Sequence, residues 1–185
     1  MILIDKSYFI GELSLPNIQV SIKEAAADGV ALALQTVGEN DLDVFINKYV
    51  LDYLTRLLGR ELTVKFLQEI ETETPSEIWV NLRDKLLINT GTYKASPIAN
   101  YVYYWVMRDA RTKTTQGGEA DPNFDFADNV NNQYKLVKAW NDMSEMTVSF
   151  YKWFCKNNQV YREYTGCNTD RNICSITQHI NTFGI

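Results

Sequence analysis

Leu42-Asp-Val-Phe-Ile-Asn-Lys-Tyr-Val-Leu-Asp-Tyr-Leu-Thr-Arg-Leu-Leu-Gly59 is the stretch that decides the fold. Leu42, Phe45, Ile46, Tyr49, Val50, Tyr53, Leu54 and Leu57 recur at three- and four-residue steps, which places them on one face of an α-helix. Asn40 or Asp41 is placed to cap its start. Gly59 is placed to end it, because glycine accepts the left-handed conformation of a helix C-terminus. The spacing therefore predicts a helix over residues 41–58 with an apolar face that needs a partner.

Downstream, Leu62, Phe66 and Ile70 predict a second helix over 61–70, and the two together read as a helical hairpin. Pro75 fits the first turn of a third helix whose inward positions are Ile78, Trp79, Leu82, Leu86 and Leu87. Thr90-Gly-Thr92 breaks the pattern. Ser96 and Pro97 then restart it as cap and first helical residue, with Ile98, Tyr101, Val102, Trp105 and Val106 inward and the helix fading near Arg111. Residues 112–126 are polar and glycine-containing, and a structureless loop of that length is uncommon in a compact domain unless it has a role. The longest periodic stretch runs from Asp128 to about Asn157, with Tyr134, Val137, Trp140, Met143, Thr147, Phe150 and Phe154 on one stripe. A helix of that span would be about 45 Å long and so either kinked or projecting.

Upstream of the deciding stretch, residues 1–37 read as an extension: a helical turn near the start, an irregular connection at Pro16, and a helical piece around Val30–Leu34. Residues 161–185 lack a clear period and read as a packed extension or an arm. The expected fold is all-α: a small helical bundle in one domain, with a core over 40–160, one long C-terminal helix and an extended mid-chain loop.

The 185 residues suit one core, and a composition of 45% hydrophobic and 22% charged residues supports a globular chain. A formal charge of −5 argues against gripping a phosphate backbone, since such affinity comes from Lys and Arg displacing counterions. Met1-Ile-Leu-Ile-Asp5 lacks the basic start of a signal peptide, so no export signal is expected. No apolar run approaches the roughly 20 residues of a membrane span. Three cysteines in the last third fit a reducing compartment.

His179 is the single histidine. With Cys155, Cys167 and Cys174 it offers a tetrahedral zinc set on paper, but no short C-x-x-C pair is present, and plain thiols are the stronger reading. A Cys–His dyad lacks any surrounding motif. Asp121, Asn123 and Asp125 alternate like the start of a calcium loop, yet Phe126 and Asn132 stand where glycine and glutamate belong, leaving a weak cation site or a solvated loop. Gly117-Gly118 is not followed by a phosphate-cradling Gly-Lys-Ser/Thr. No catalytic residue, cofactor or metal is assigned. Tyr101, Tyr104 and Trp105 read as core plus a candidate interface, because Tyr and Trp are enriched where subunits meet.

Taken in order, Leu54-Thr-Arg-Leu-Leu-Gly59, Ser96-Pro-Ile-Ala-Asn-Tyr-Val-Tyr-Tyr-Trp105, Thr112-Lys-Thr-Thr-Gln-Gly-Gly118 and Lys138-Ala-Trp-Asn-Asp-Met143 resemble the head-tail connector, or head-completion, proteins of tailed bacteriophages and prophages. The order of the four segments carries the resemblance, which spans roughly residues 40–160. It implies a non-enzymatic subunit whose copies, commonly twelve, form a ring between the portal protein and the tail or a second connector, continuing the DNA channel. The resemblance allows a monomer in isolation, and implies a location in the virion or, from a prophage, in the bacterial cytoplasm. Thr114, Thr115, Gln116, Gly117, Gly118, Asp121 and Phe124 would form its assembly loop. An acidic ring suits a conduit that must not hold DNA. The alternative is a cytoplasmic helical binding or regulatory protein that uses the Tyr101–Trp105 face.

Overall fold

In a computed structural model, residues 3–15, 29–91, 93–109, 113–115, 118–120, 133–157, 159–161 and 172–181 are described. The fold is all-α, a small helical bundle. Its helices are α1 (Gly29–Leu58), α2 (Arg60–Ile70), α3 (Glu77–Leu86), α4 (Pro97–Asp109), α5 (Gln133–Asn157) and a single turn, α6 (Cys174–Thr177). Two antiparallel pairs are inserted: β1 (Ile88–Asn89) with β2 (Lys94–Ala95), and β3 (Lys113–Thr115) with β4 (Gly118–Ala120).

The deciding stretch is helical, and Leu42, Ile46, Val50, Tyr53, Leu54 and Leu57 are buried. Its start differs from the expectation. Asn40 and Asp41 lie inside α1, which begins at Gly29 and is about 45 Å long by its rise. Good local caps do not end a helix when the preceding residues are themselves helix formers, and Gly38 within it costs only about 1 kcal/mol. Gly59 does end α1, with φ 86°. Its amide donates to Thr55 O at 2.9 Å, and its carbonyl accepts from the Thr63 amide at 3.1 Å, so one glycine closes α1 and opens α2.

Helix α3 begins at Glu77, two residues beyond Pro75, so Pro75 precedes the helix rather than occupying its first turn. Ile78, expected inward, is exposed, and Leu87 has left the helix as its C-cap. The chain then reverses at Gly91 (φ 86°), whose amide donates to Asn89 Oδ1 at 2.9 Å. Ser96 Oγ accepts from the Ile98 amide at 3.2 Å and Pro97 occupies the first helical position of α4, as their order predicts.

Helix α4 packs on both α1 and α5. Helix α5 buries Leu136, Ala139, Met143, Ser144, Thr147, Phe150 and Phe154 along nearly its whole length, so it is a packed core helix and not a projecting one. Tyr134, assigned to its apolar stripe, is exposed. The N-terminal residues join the same core, since Leu3, Ile4, Tyr8, Phe9 and Leu15 are buried around two 3-10 turns, Lys6–Tyr8 and Gly11–Leu13. The described part of the tail is packed too. Tyr161 and Ile176 are core residues, and Asn141 exchanges two hydrogen bonds with the Ile180 backbone, at 3.2 and 2.9 Å. Among the described residues no helix is long and apolar enough to cross a membrane.

Two buried threonines have opposite environments. Thr147 Oγ1 donates to Met143 O at 2.7 Å and accepts from the Tyr53 hydroxyl at 2.7 Å, whereas Thr63 Oγ1 has no hydrogen-bond partner among the described residues. An unsatisfied buried hydroxyl costs about 1–3 kcal/mol. Thr63→Val is therefore expected to stabilise the protein by about 1 kcal/mol, and Thr147→Val to destabilise it by about as much or more. Urea unfolding midpoints check both signs.

Candidate docking surface

Helix α4 carries the aromatic residues expected to meet partners, and the structure separates them. Tyr101 is buried. Its hydroxyl donates to Asp52 Oδ2 at 2.5 Å, the oxygen that also accepts from Arg56 Nε at 2.9 Å. Arg56 in turn donates from Nη1 to Ser175 Oγ at 3.2 Å, and its carbonyl accepts from the Asn172 amide at 3.1 Å. Tyr101 thus ties α4 to α1, and through Arg56 to the tail. It is an internal residue and not a contact surface.

Burial pushes the Asp52 carboxyl up, but hydrogen bonds from Arg56 and Tyr101 outweigh that, and its pKa is lowered. Burial, reinforced by Asp52, raises the Tyr101 phenol. The phenol therefore stays protonated as a donor and the carboxylate stays charged as an acceptor.

Tyr104 and Trp105 keep part of their surface. Trp105 stacks on Tyr49 of α1, with centroids 5.3 Å apart and planes within 3°, and Tyr49 stacks on Phe45 at 5.8 Å. Tyr104 meets Trp140 of α5 at 4.7 Å. Phe45, Tyr49, Tyr104, Trp105 and Trp140 are all half-buried, forming an aromatic ladder along the seams that α4 makes with α1 and α5. Lys48 lies 4.9 Å from the Tyr49 centroid and Arg108 5.2 Å from that of Trp105, so cations edge the ladder. Val44, next to Phe45 in the sequence of α1, is 66% exposed. The Trp105 indole N–H is buried, and the nearby Tyr101 hydroxyl oxygen does not give it a well-formed hydrogen bond.

The segment read as a structureless loop contains a β-hairpin. Lys113 pairs with Ala120, Thr114 with Glu119 and Thr115 with Gly118. Threonine suits a strand, and a polar, glycine-containing composition hid the pairing. Thr114, Thr115 and Gly118 are thus ladder positions. Gln116, Gly117, Asp121, Phe124 and the alternating Asn123 and Asp125 lie outside the described residues, as does Cys167. Cys155, Cys174 and His179 are exposed, and among the described residues no group of three or more metal-ligating side chains occurs.

A second feature was not foreseen. A cleft of about 660 Å³ opens at the N-terminal end of α4, lined in part by Tyr8, Tyr93, Asn100, Asp142, Glu145 and Met146. A smaller one of about 300 Å³ lies beside it along α5. Glu12, Leu13 and Asp142 line both. Lys138 Nζ donates to Glu12 Oε2 at 2.7 Å and to Asp142 Oδ2 at 2.8 Å, latching the N-terminal turn onto α5. Only the Lys138–Asp142 half of that latch, at i and i+4, is visible in the sequence.

In comparison with known proteins, no family model matches the chain, and neither a curated protein nor a solved structure does.

The Asp52 arrangement makes a signed prediction. A carboxyl whose folded pKa is lowered contributes stability above its unfolded value of about 3.9, and loses it as pH falls through the folded value. Asp52→Asn should cost about 1 kcal/mol or less near neutrality, because Asp52 and Arg56 are each about a third exposed. The gap from the unchanged protein should close as pH drops below about 4, which thermal unfolding across pH 2.5–7 measures.

Proposed function

We propose that this chain is a structural subunit of a phage head-tail junction, assembling as a ring between portal and tail and continuing the DNA channel. The observation that carries the reading is the half-buried aromatic ladder of Tyr49, Tyr104 and Trp105, standing immediately before the Thr/Gly hairpin. Aromatic rings with Met and Arg are what protein interfaces concentrate, and Met107 and Arg108 complete that set on α4. Helix α4 ends at Asp109 and β3 begins at Lys113, so hairpin and ladder are joined by a short link. The order of the four sequence segments supports the particular family. A net charge of −5 suits a channel wall that must let DNA slide.

Neither cleft is lined by Tyr101, Tyr104 or Trp105, so neither favours the alternative of a regulatory protein that takes a ligand on that face.

The isolated chain is expected to be monomeric and to form rings with a portal protein encoded beside it. Removing residues 114–124 should leave the helical signal intact and abolish ring formation in negative-stain images. Val44→Arg, a surface change expected to alter stability by no more than about 0.5 kcal/mol, should weaken assembly. Rings formed equally well by both variants would overturn the reading, as would a gene neighbourhood without portal, capsid or tail genes.

A further inference from the structure

The cleft at the start of α4 holds a polar group that the fold leaves unused. Asn100 is 6% exposed, lines the cleft, and its side-chain amide makes no hydrogen bond among the described residues. Its polar atoms are not sealed from water, so the amide is open to a ligand from the cleft side.

The charge around it is also incomplete. Glu12, Asp142 and Glu145 line the cleft with Lys94. The Lys94 ammonium is engaged by Ser7 Oγ at 2.6 Å and by the Tyr8 ring at 5.4 Å. Lys138 serves both Glu12 and Asp142. Among the described residues Glu145, 71% exposed, has only His179, 3.9 Å away, which carries charge only when protonated. The lining thus offers a solvated carboxylate without a fixed cationic partner, and the Asn100 amide and the exposed ring of Tyr93 line the same cleft. A guanidinium meets all three demands: a fixed charge for Glu145, several N–H donors to share with Asn100 Oδ1, and a flat face that stacks on tyrosine. An ammonium supplies charge and donors but not the face. A volume of about 660 Å³ admits the side chain and the backbone that presents it.

We propose that this cleft receives an arginine side chain presented by a partner protein. Only the identity of the donor rests on the reading as an assembly subunit. The binding chemistry does not.

The test uses the full ¹⁵N-labelled chain and free L-argininamide, followed by NMR. Saturable shifts are expected at the Asn100 side-chain amide and at Tyr93, with none from citrulline amide, the neutral isostere, and weaker binding of lysinamide. Glu145→Gln, at a well-exposed position, should keep the spectrum of the rest of the chain and weaken binding by about two- to fivefold. Asn100→Leu should remove the binding. Equal shifts with citrulline amide, no saturation, or unchanged affinity in Glu145→Gln would overturn the site. Binding as expected, with Glu145→Gln and Asn100→Leu chains that still assemble normally, would overturn the assignment of the arginine to an assembly partner and leave the ring reading intact.

Discussion

Tyr53 is the side chain on which the bundle turns. It is fully enclosed, its ring lies 5.4 Å from that of Tyr101 on α4, and its hydroxyl meets Thr147 on α5. Because Thr147 spends its one proton on Met143 O, Tyr53 must be the donor, and burial raises its pKa so that the proton stays. One residue of α1 thus fixes its depth against two other helices. Sliding α1 by a turn would strand the Tyr53 phenol without its acceptor, a penalty that apolar packing alone does not impose. The Tyr101–Asp52–Arg56 chain repeats the device one step further out, where partial exposure makes each bond weaker but adds the tail to the assembly.

What the sequence made legible follows from this hierarchy. Helix faces repeat every three to four residues, so α2, α4, the lower half of α1 and most of α5 could be read from Leu62, Phe66, Tyr101, Leu54 and Phe150 alone. Ser96-Pro97 and Gly59 were readable because capping is local chemistry. The start of α1 departs from the expectation because Asn40 and Asp41, good caps in isolation, lie inside an uninterrupted helical run. Ile78 and Tyr134 were misassigned because both stand at or near a helix start, where the face that packs is not yet fixed by both neighbours.

The ends of the chain were not legible for a different reason. The N-terminal turns are held by Lys138 reaching Glu12 across 126 positions and by Lys94 reaching Ser7 across 87. The tail is held by Trp140 donating to Gln178 O and by the Asn141–Ile180 exchange. Such ties join single residues of irregular segments to helices, and they leave no period in the sequence. The Asn100 cleft is a product of the same ties. It exists where the N-terminal turn and the β1–β2 hairpin meet the start of α4, and no local pattern encodes that meeting.

Helix α4 consequently holds two contact regions of different chemistry. Near its N-terminus, Asn100 lines a polar cleft with Glu12, Asp142 and Glu145, and near its C-terminus Trp105 belongs to an apolar, cation-edged ladder. The two residues are five positions apart, about 7.5 Å along the axis, on an element packed against both α1 and α5. Packing against both α1 and α5 resists any shift of α4, which argues against relaying occupancy at one end as a shape change at the other. On the proposed reading the two regions would fix the relative position of two neighbours rather than signal between them, the demand that a stacked ring would place on each subunit.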